Sequence, residues 1–468
     1  MGRTVADCPF RTRYHIQPPV GWLNDPNGLC QFKGLYHAYF QYSPLNVHGG
    51  GGYWGHCVSS DLLRWEYKEP VLTADIPEDR NGVYSGSALV EDGRMYIFYT
   101  GNVKLPGDHD YIDEGRISTQ ILTESEDGQS MSPKIPLLRM EDYPKYITQH
   151  IRDPKVWKEN GIYYMVLGAR VRAWDEQGIR KDKGAALIYR SDDKLHWELD
   201  KELIPDGWFG YMWECPDIFY MDREKILSFC PQGLASSEGK YQNIYQSGYS
   251  ILTEKEDPED TFREWDMGFD FYAPQTFEDN DGRRIIIGWA GLPDTENCHR
   301  NLSVQNGWQH CLSLPAELTF RNGKIYRYPV RELENLQWNN KKIDTSGIFN
   351  WSNCTVRLEI TEIGGKKENI RIGTDENYLL IHIEGNKTEL SFLDDENNPA
   401  KCGGGREKRE GRTDDKTDKV LILIDSSIVE VYVNDGEIVF TTRIYLEPEE
   451  RNLKISGEGD ADLKVIEK

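Results

Sequence analysis

Trp22-Leu23-Asn24-Asp25-Pro26-Asn27-Gly28 sets a carboxylate between an aromatic residue and a tight turn, directly before a proline. Proline excludes its predecessor from the helical region, so Asp25 is expected to open a strand, and Pro26-Asn27-Gly28 reads as turn chemistry. A single Asp-Pro of this kind usually marks a surface loop. Here the layout recurs: Ser85-Gly86-Ser87, Arg152-Asp153-Pro154, Glu214-Cys215-Pro216 and Tyr272-Ala273-Pro274 each precede an apolar strand, a turn and a second apolar strand. Asp92-Gly93, Asn160-Gly161 and Asp281-Gly282 are strong hairpin signals between those apolar runs.

Positions 25, 85, 153, 214 and 272 lie 60, 68, 61 and 58 residues apart. Trp65, Trp197 and Trp265 each close a unit of the same division. Repeats of this length, each with about four short strands, predict the blades of a five-bladed β-propeller over residues 1–335. The first strand of each blade should line the central channel. Asp25, Asp153 and Glu214, from the first, third and fourth blades, would then converge from equivalent positions on one acidic pocket. Proline is tolerated at a strand's first residue, and Pro26, Pro154 and Pro216 would stiffen the backbone that aims each carboxylate.

From about residue 340 the texture changes to short alternating strands, at 356–363, 379–383, 389–393, 420–424, 428–433 and 438–445, with Asn434-Asp435-Gly436 as a further hairpin turn. Residues 340–468 are thus expected to form a C-terminal β-sandwich, making the chain all-β. The charged, Gly-rich stretch 397–419 reads as a solvated loop, and Arg406, Lys408, Arg409 and Arg412 as its exposed basic face.

Composition narrows the chemistry. The 468 residues hold 55 Lys and Arg against 78 Asp and Glu, a net charge of -23. That excludes the basic footprint of a nucleic-acid binder and disfavours an anionic membrane surface. A neutral substrate fits the charge most simply, whereas a phosphorylated one requires a local cationic pocket set against the global field. Residues 1–13 contain no apolar signal core, and no stretch is apolar enough for a transmembrane helix. The nine cysteines are scattered without CxxC spacing, as expected of reduced thiols in a cytoplasm. The ten histidines show no metal-ligand spacing, and Gly49 to Gly52 does not bridge a strand to a helix as a nucleotide loop would, so neither metal nor cofactor is expected.

Three carboxylates in an aromatic-rich channel suit glycoside hydrolysis. One acid protonates the leaving oxygen, and a second attacks the anomeric carbon or activates water. Burial and mutual repulsion separate their pKa values so that both roles coexist.

The motifs carry a specific resemblance. His15 to Gly28, Phe40-Gln41-Tyr42, Trp54-Gly55-His56, Tyr84 to Ser87, Arg152-Asp153-Pro154, Trp213 to Pro216 and Asp270 to Gln275 resemble, in order, glycoside hydrolase family 32, the β-fructofuranosidases. Glu430 to Asn434 is similar to a sandwich strand of that family. The resemblance implies retention of configuration, with Asp25 as nucleophile, Glu214 as acid/base and Asp153 stabilising the transition state through fructose hydroxyls. It places Asn24, Gln41, Trp54, Ser85, Arg152, Tyr272 and Trp289 around the terminal fructosyl unit. The implied activity is exo-acting hydrolysis of sucrose or sucrose 6-phosphate, ahead of inulin or levan; an inverting arabinanase-like propeller and a non-catalytic sugar-binding propeller are the rival readings. Arg170, Arg172, His299 and Arg300 are candidate phosphate contacts. Two features need structural resolution. In a fully extended strand Arg152 and Asp153 would face opposite sides, and the glycine run stands where some relatives place an aromatic residue near the leaving group. The sequence does not fix the oligomeric state.

Overall fold

A computed structural model describes residues 5–50, 52–253, 257–342, 347–352, 354–394 and 396–467. Residues 1–4 of the N-terminal stretch, and Gly51 of the glycine run, lie outside the described residues.

Five inner strands, Gly21–Phe32, Val83–Glu91, Ile147–Glu159, Met212–Met221 and Tyr272–Glu278, each begin an antiparallel sheet of four consecutive hairpin-linked strands or their equivalent. Their turns carry the backbone that the dipeptides demand: φ is positive at both Lys33 and Gly34, Asp92 and Gly93, and Asn160 and Gly161, the mirror-image turn that matches strand twist. Each inner strand touches the next, and the fifth touches the first, which closes a ring around a central channel. The fifth sheet departs from the simple meander. Between its second strand, Arg284–Trp289, and its third, Ala316–Arg321, the chain leaves to place Trp308–Gln309 parallel to Gly21 and Trp22. That short strand ties the last sheet to the first.

Two six-stranded antiparallel sheets follow, one containing Cys354–Thr361, Val420–Asp425, Ile428–Val433, Ile438–Arg443 and Asp460–Glu467, the other Glu368–Gly373, Tyr378–Glu384, Lys387–Ser391, Lys408–Arg412 and Asn452–Ser456. Their facing sides form a dry core of Val, Ile, Leu and Phe, the alternation a sandwich requires. The solvated loop expected over 397–419 is not what forms. Lys408–Arg412 is an edge strand, and Arg406 is fully buried, its guanidinium bidentate on Asp270 at 2.6 and 2.7 Å. The physical reason is that the partner carboxylate belongs to the fifth sheet's approach, far away in sequence.

Arg406 is one of several buried polar bridges between the two regions. Arg327 donates to Asp266, which also accepts from the Thr441 backbone N–H at 2.9 Å. His15 contacts Asp425 at 2.9 Å, and Glu430 accepts from the Leu314 N–H at 3.0 Å. Leu421, Leu423, Tyr432 and Val439 pack with Val330, Leu333 and Leu336 in one apolar cluster. Among the described residues, Cys8, Cys30, Cys57, Cys215, Cys230, Cys298, Cys311 and Cys402 are free thiols. No helix among the described residues is long and apolar enough to cross a membrane.

Candidate active site

All five inner strands carry the same irregularity. In each, the inner strand inserts one extra residue against its partner: between Leu23 and Pro26, Val83 and Gly86, Arg152 and Lys155, Glu214 and Asp217, and Tyr272 and Gln275. A bulge of this kind bends the strand and re-aims side chains. It resolves the difficulty at Arg152-Asp153: Asp153 adopts φ +65°, a turn that lets consecutive side chains reach the same pocket. Cys215 and Ala273, the matching residues of the fourth and fifth strands, also have positive φ, 47° and 46°.

The register corrects one expectation. The three acids do not occupy equivalent positions. Glu214 is the last paired residue before its bulge, Asp153 the first residue within its bulge, and Asp25 the second. Sequence spacing blurs that offset because each bulge absorbs it.

The acids nevertheless converge. Asp25 Oδ2 accepts from Ser85 Oγ at 2.6 Å and Oδ1 from Asn24 Nδ2 at 3.1 Å, while the Trp22 indole N–H fixes Asn24 at 2.8 Å. Burial, reinforced by the charge of Glu214, raises Asp25 to about 6, against the pull of Ser85 and Asn24. Asp153 Oδ2 accepts from the Cys215 N–H at 3.0 Å, and its own N–H donates to Thr100 Oγ1 at 3.1 Å. Burial pushes Asp153 above the usual carboxylate range, opposed by Arg152 and helped by Glu214 and Asp25. The Cys215 thiol sits 3.7 Å from Asp153 Oδ2 and 4.0 Å from Asp25 Oδ2, bridging the two acids. Glu214 receives four donated bonds: Arg152 Nε and Nη2 on Oε1 at 3.0 and 2.6 Å, and the Tyr272 hydroxyl and Gln232 Nε2 on Oε2 at 2.7 and 2.6 Å. Arg152 Nη1 also meets His150 Nδ1 at 2.9 Å.

The remaining expected sugar contacts fall into two groups. The Gln41 side-chain N–H₂ and the Trp289 indole N–H are buried without a hydrogen-bond partner among the described residues, a costly state unless a ligand supplies an acceptor. Trp289 packs against Trp22 and His310, with ring centroids 5.9 and 4.9 Å away. Trp54, by contrast, has no accessible surface. Its N–H donates to the Tyr84 carbonyl at 3.1 Å and its ring packs on Tyr39 and Tyr99, so it braces the wall behind Ser85. Of the glycine run, Gly49 lies over Trp22, where a Cβ would come within 3.3 Å of the ring. Gln232, Thr100, His150 and the Cys215 backbone were not singled out from sequence. Gln232 follows an apolar strand with no motif to mark it, and only the pairing of its strand with Met212–Met221 brings it to Glu214.

Of the cationic candidates, Arg172 is committed to Asp113 and to the carbonyls of Lys145 and Ile147. Arg170 is bound to Asp182 at 2.7 Å with its guanidinium 5.0 Å from the Tyr211 ring centroid, and His299 and Arg300 line a cavity of about 240 Å³ with Trp22, His48 and His310.

The model of the glycosyl hydrolases family 32 N-terminal domain matches residues 15–329, and that of the family's C-terminal domain matches residues 343–467. The chain belongs to glycosyl hydrolase family 32. Within this family it is 37% identical over 473 residues to the sucrose-6-phosphate hydrolase of Bacillus subtilis strain 168, covering 98% of this chain and 93% of that protein. The solved sucrose-6-phosphate hydrolase of Lactobacillus gasseri superposes with a TM-score of 0.83 at 28% identity, over 99% and 94% of the two chains. The Bombyx mori family 32 β-fructofuranosidase gives a TM-score of 0.80 at 28% identity, over 98% and 94%. The protein is therefore a glycoside hydrolase built as a β-propeller with a β-sandwich.

Proposed function

We propose that the protein is a retaining, exo-acting β-fructofuranosidase that hydrolyses sucrose or sucrose 6-phosphate through a covalent fructosyl-enzyme intermediate. The carrying observation is the convergence of Asp25, Asp153 and Glu214 on one pocket, each held by a different set of donors. Asp25, pinned by Ser85 and Asn24, attacks the anomeric carbon of the fructosyl unit. Glu214 delivers a proton to the departing oxygen and then withdraws one from the incoming water, the double duty of the acid/base in retention. Asp153 holds fructose hydroxyls and strengthens those bonds as positive charge develops on the ring. Arg152, Tyr272 and Gln232 orient Glu214, while Gln41 and Trp289 offer N–H donors to the sugar. Trp54 supports the site from behind.

The relatives' printed activities support the sucrose-type substrate. In the same reading, residues 1–335 form the catalytic domain and 340–468 the sandwich domain, and the scattered free thiols, Cys8, Cys30, Cys57, Cys215, Cys230, Cys298, Cys311 and Cys402, suit a cytoplasmic setting. No metal or cofactor takes part in this scheme. Proton NMR of a reaction started on sucrose tests the stereochemistry: β-fructofuranose should appear first and mutarotate afterwards. An α-anomer as the first product would replace the nucleophile with an activated water and refute the assignment of Asp25.

A further inference from the structure

The inner strands meet twice. Their starting residues form the acid pocket, and their later residues meet again toward the opposite end of the channel, around a second cavity of about 450 Å³. Cys30, Leu89, Lys155, Phe219 and Phe277 line it, one from each inner strand, together with Arg284 from the second strand of the fifth sheet. Cys30, Phe219 and Phe277 follow Asp25, Glu214 and Tyr272 by five residues each, roughly 15 Å along a strand. Among the described residues, its lining shares none with the acid pocket.

Two desolvated cations stand in this wall. Lys155 Nζ donates to the Thr276 carbonyl and lies 3.2 Å from Asp217 Oδ2. That same oxygen already accepts from the Thr276 N–H at 2.8 Å and from the Thr276 hydroxyl at 2.9 Å. Arg284 sends Nη2 to the exposed carboxylate of Glu278 at 3.0 Å, while its Nε is buried with no hydrogen-bond partner among the described residues. The guanidinium carbon lies 5.1 Å from the centroid of the Phe219 ring, a second hold on the side chain. Lys158, also in the wall, is committed to Glu91 and to the Tyr163 hydroxyl. Burial lowers the pKa of Lys155, opposed by Asp217 and reinforced by the charge of Arg284. Burial lowers Arg284 too, opposed by Asp217 and Glu278. Asp217 is fully buried and acts on both cations, yet it does not offset their desolvation. A buried N–H without an acceptor and a pair of under-compensated cations call for a further negative charge. The planar fork of an arginine beside the compact charge of a lysine suits an oxyanion of the phosphate type.

We propose that this second mouth of the channel is a binding site for a small phosphate-type oxyanion, held between Lys155 Nζ and the Arg284 guanidinium. The rings of Phe219 and Phe277 beside them give an apolar wall for the organic body of a phosphate ester. The site stands apart from the fructosidase reading, because anion binding is measured without cleaving any sugar.

Isothermal titration calorimetry of the full chain with inorganic phosphate, at constant ionic strength, should give one site with a Kd on the order of 1 mM. Arg284→Gln and Lys155→Gln should each weaken it about 10-fold or more, as expected for losing a charge-assisted bond. Lys155→Gln also leaves the buried Asp217 charge without its cation; if that chain does not fold, Arg284→Gln decides alone. Saturating fructose should leave the phosphate affinity unchanged, and Arg284→Gln should keep wild-type kcat/KM on sucrose. Phenyl phosphate separates the two sources of the anion: tighter binding than phosphate assigns the site to an ester, and no tighter binding assigns it to the free ion. Absence of binding up to about 20 mM phosphate, well above the expected Kd, overturns the site, as does an affinity that Arg284→Gln leaves unchanged. Loss of phosphate binding on adding fructose would place the anion among the acids and overturn it equally.

Discussion

Asp25 is held in its charged form at a cost that stability measurements can recover. Burial lifts its carboxyl from an ordinary 3.8 to about 6 in the folded protein. Each pKa unit corresponds to about 1.4 kcal/mol, so the ionised side chain weakens the fold by roughly 3 kcal/mol at neutral pH. The sign follows from proton counting. The folded state holds the proton more tightly than the unfolded chain, so the contribution of Asp25 is fully favourable below about pH 4. It is lost as the pH rises through about 6. Asp25→Asn keeps the shape and can still accept from Ser85, but carries no charge to desolvate. In urea unfolding at pH 7.5 the variant should therefore exceed the wild type by about 1–3 kcal/mol, while kcat falls by about four orders of magnitude or more. At pH 4 the stability advantage should vanish. A variant that is less stable than the wild type at pH 7.5, or an advantage that does not change with pH, would refute the reasoning.

The same group sets the acid side of the rate profile: kcat/KM on sucrose should rise with pH through about 6 as Asp25 ionises, and a limb near pH 4 would contradict it. Gln232→Leu removes one of the four donors to Glu214 and should lower kcat about 10- to 100-fold with a smaller change in KM; wild-type kcat in steady-state assays would argue against that role. Glu214→Gln should cripple turnover of sucrose yet spare fructosides whose leaving groups need no protonation, and equal loss on both would deny it the acid's role. Arg406→Met strands the buried Asp270 charge and should cost about 3–5 kcal/mol in urea unfolding; a shift within error would show that the bridge between propeller and sandwich contributes little.

The repeat was legible because each hairpin carries local chemistry that needs no tertiary context. Lys33-Gly34, Asp92-Gly93 and Asn160-Gly161 turn where their dipeptides say they should. The sandwich was only partly legible. Glu368–Gly373, Lys408–Arg412, Asn452–Ser456 and Asp460–Glu467 are strands whose sequences mix charge into the alternation, and their pairing partners, not their own propensities, define them. The site shows the same division. Asp25, Asp153 and Glu214 announce themselves beside prolines, but the offset between them is a property of the bulges, visible only in the pairing. Gln232 and Thr100 reach Glu214 and Asp153 from neighbouring strands, His150 meets Arg152 on their shared strand, and no local pattern distinguishes them. Arg406 was misread as solvated because its carboxylate partner, Asp270, lies far away in sequence.

The short strand Trp308–Gln309, paired with Gly21 and Trp22, has a consequence for synthesis. The strand that bears Asp25 gains its last backbone partner only when a segment close to the end of the propeller has been made. A nascent chain therefore holds its first sheet open along the edge beside Asp25 until most of the molecule exists. Contacts of such sequence separation are the slow ones to form, and an unpaired edge is a template for the wrong partner. A ribosome-stalled fragment ending before residue 308 should expose that edge, and a chain that extends past it should not.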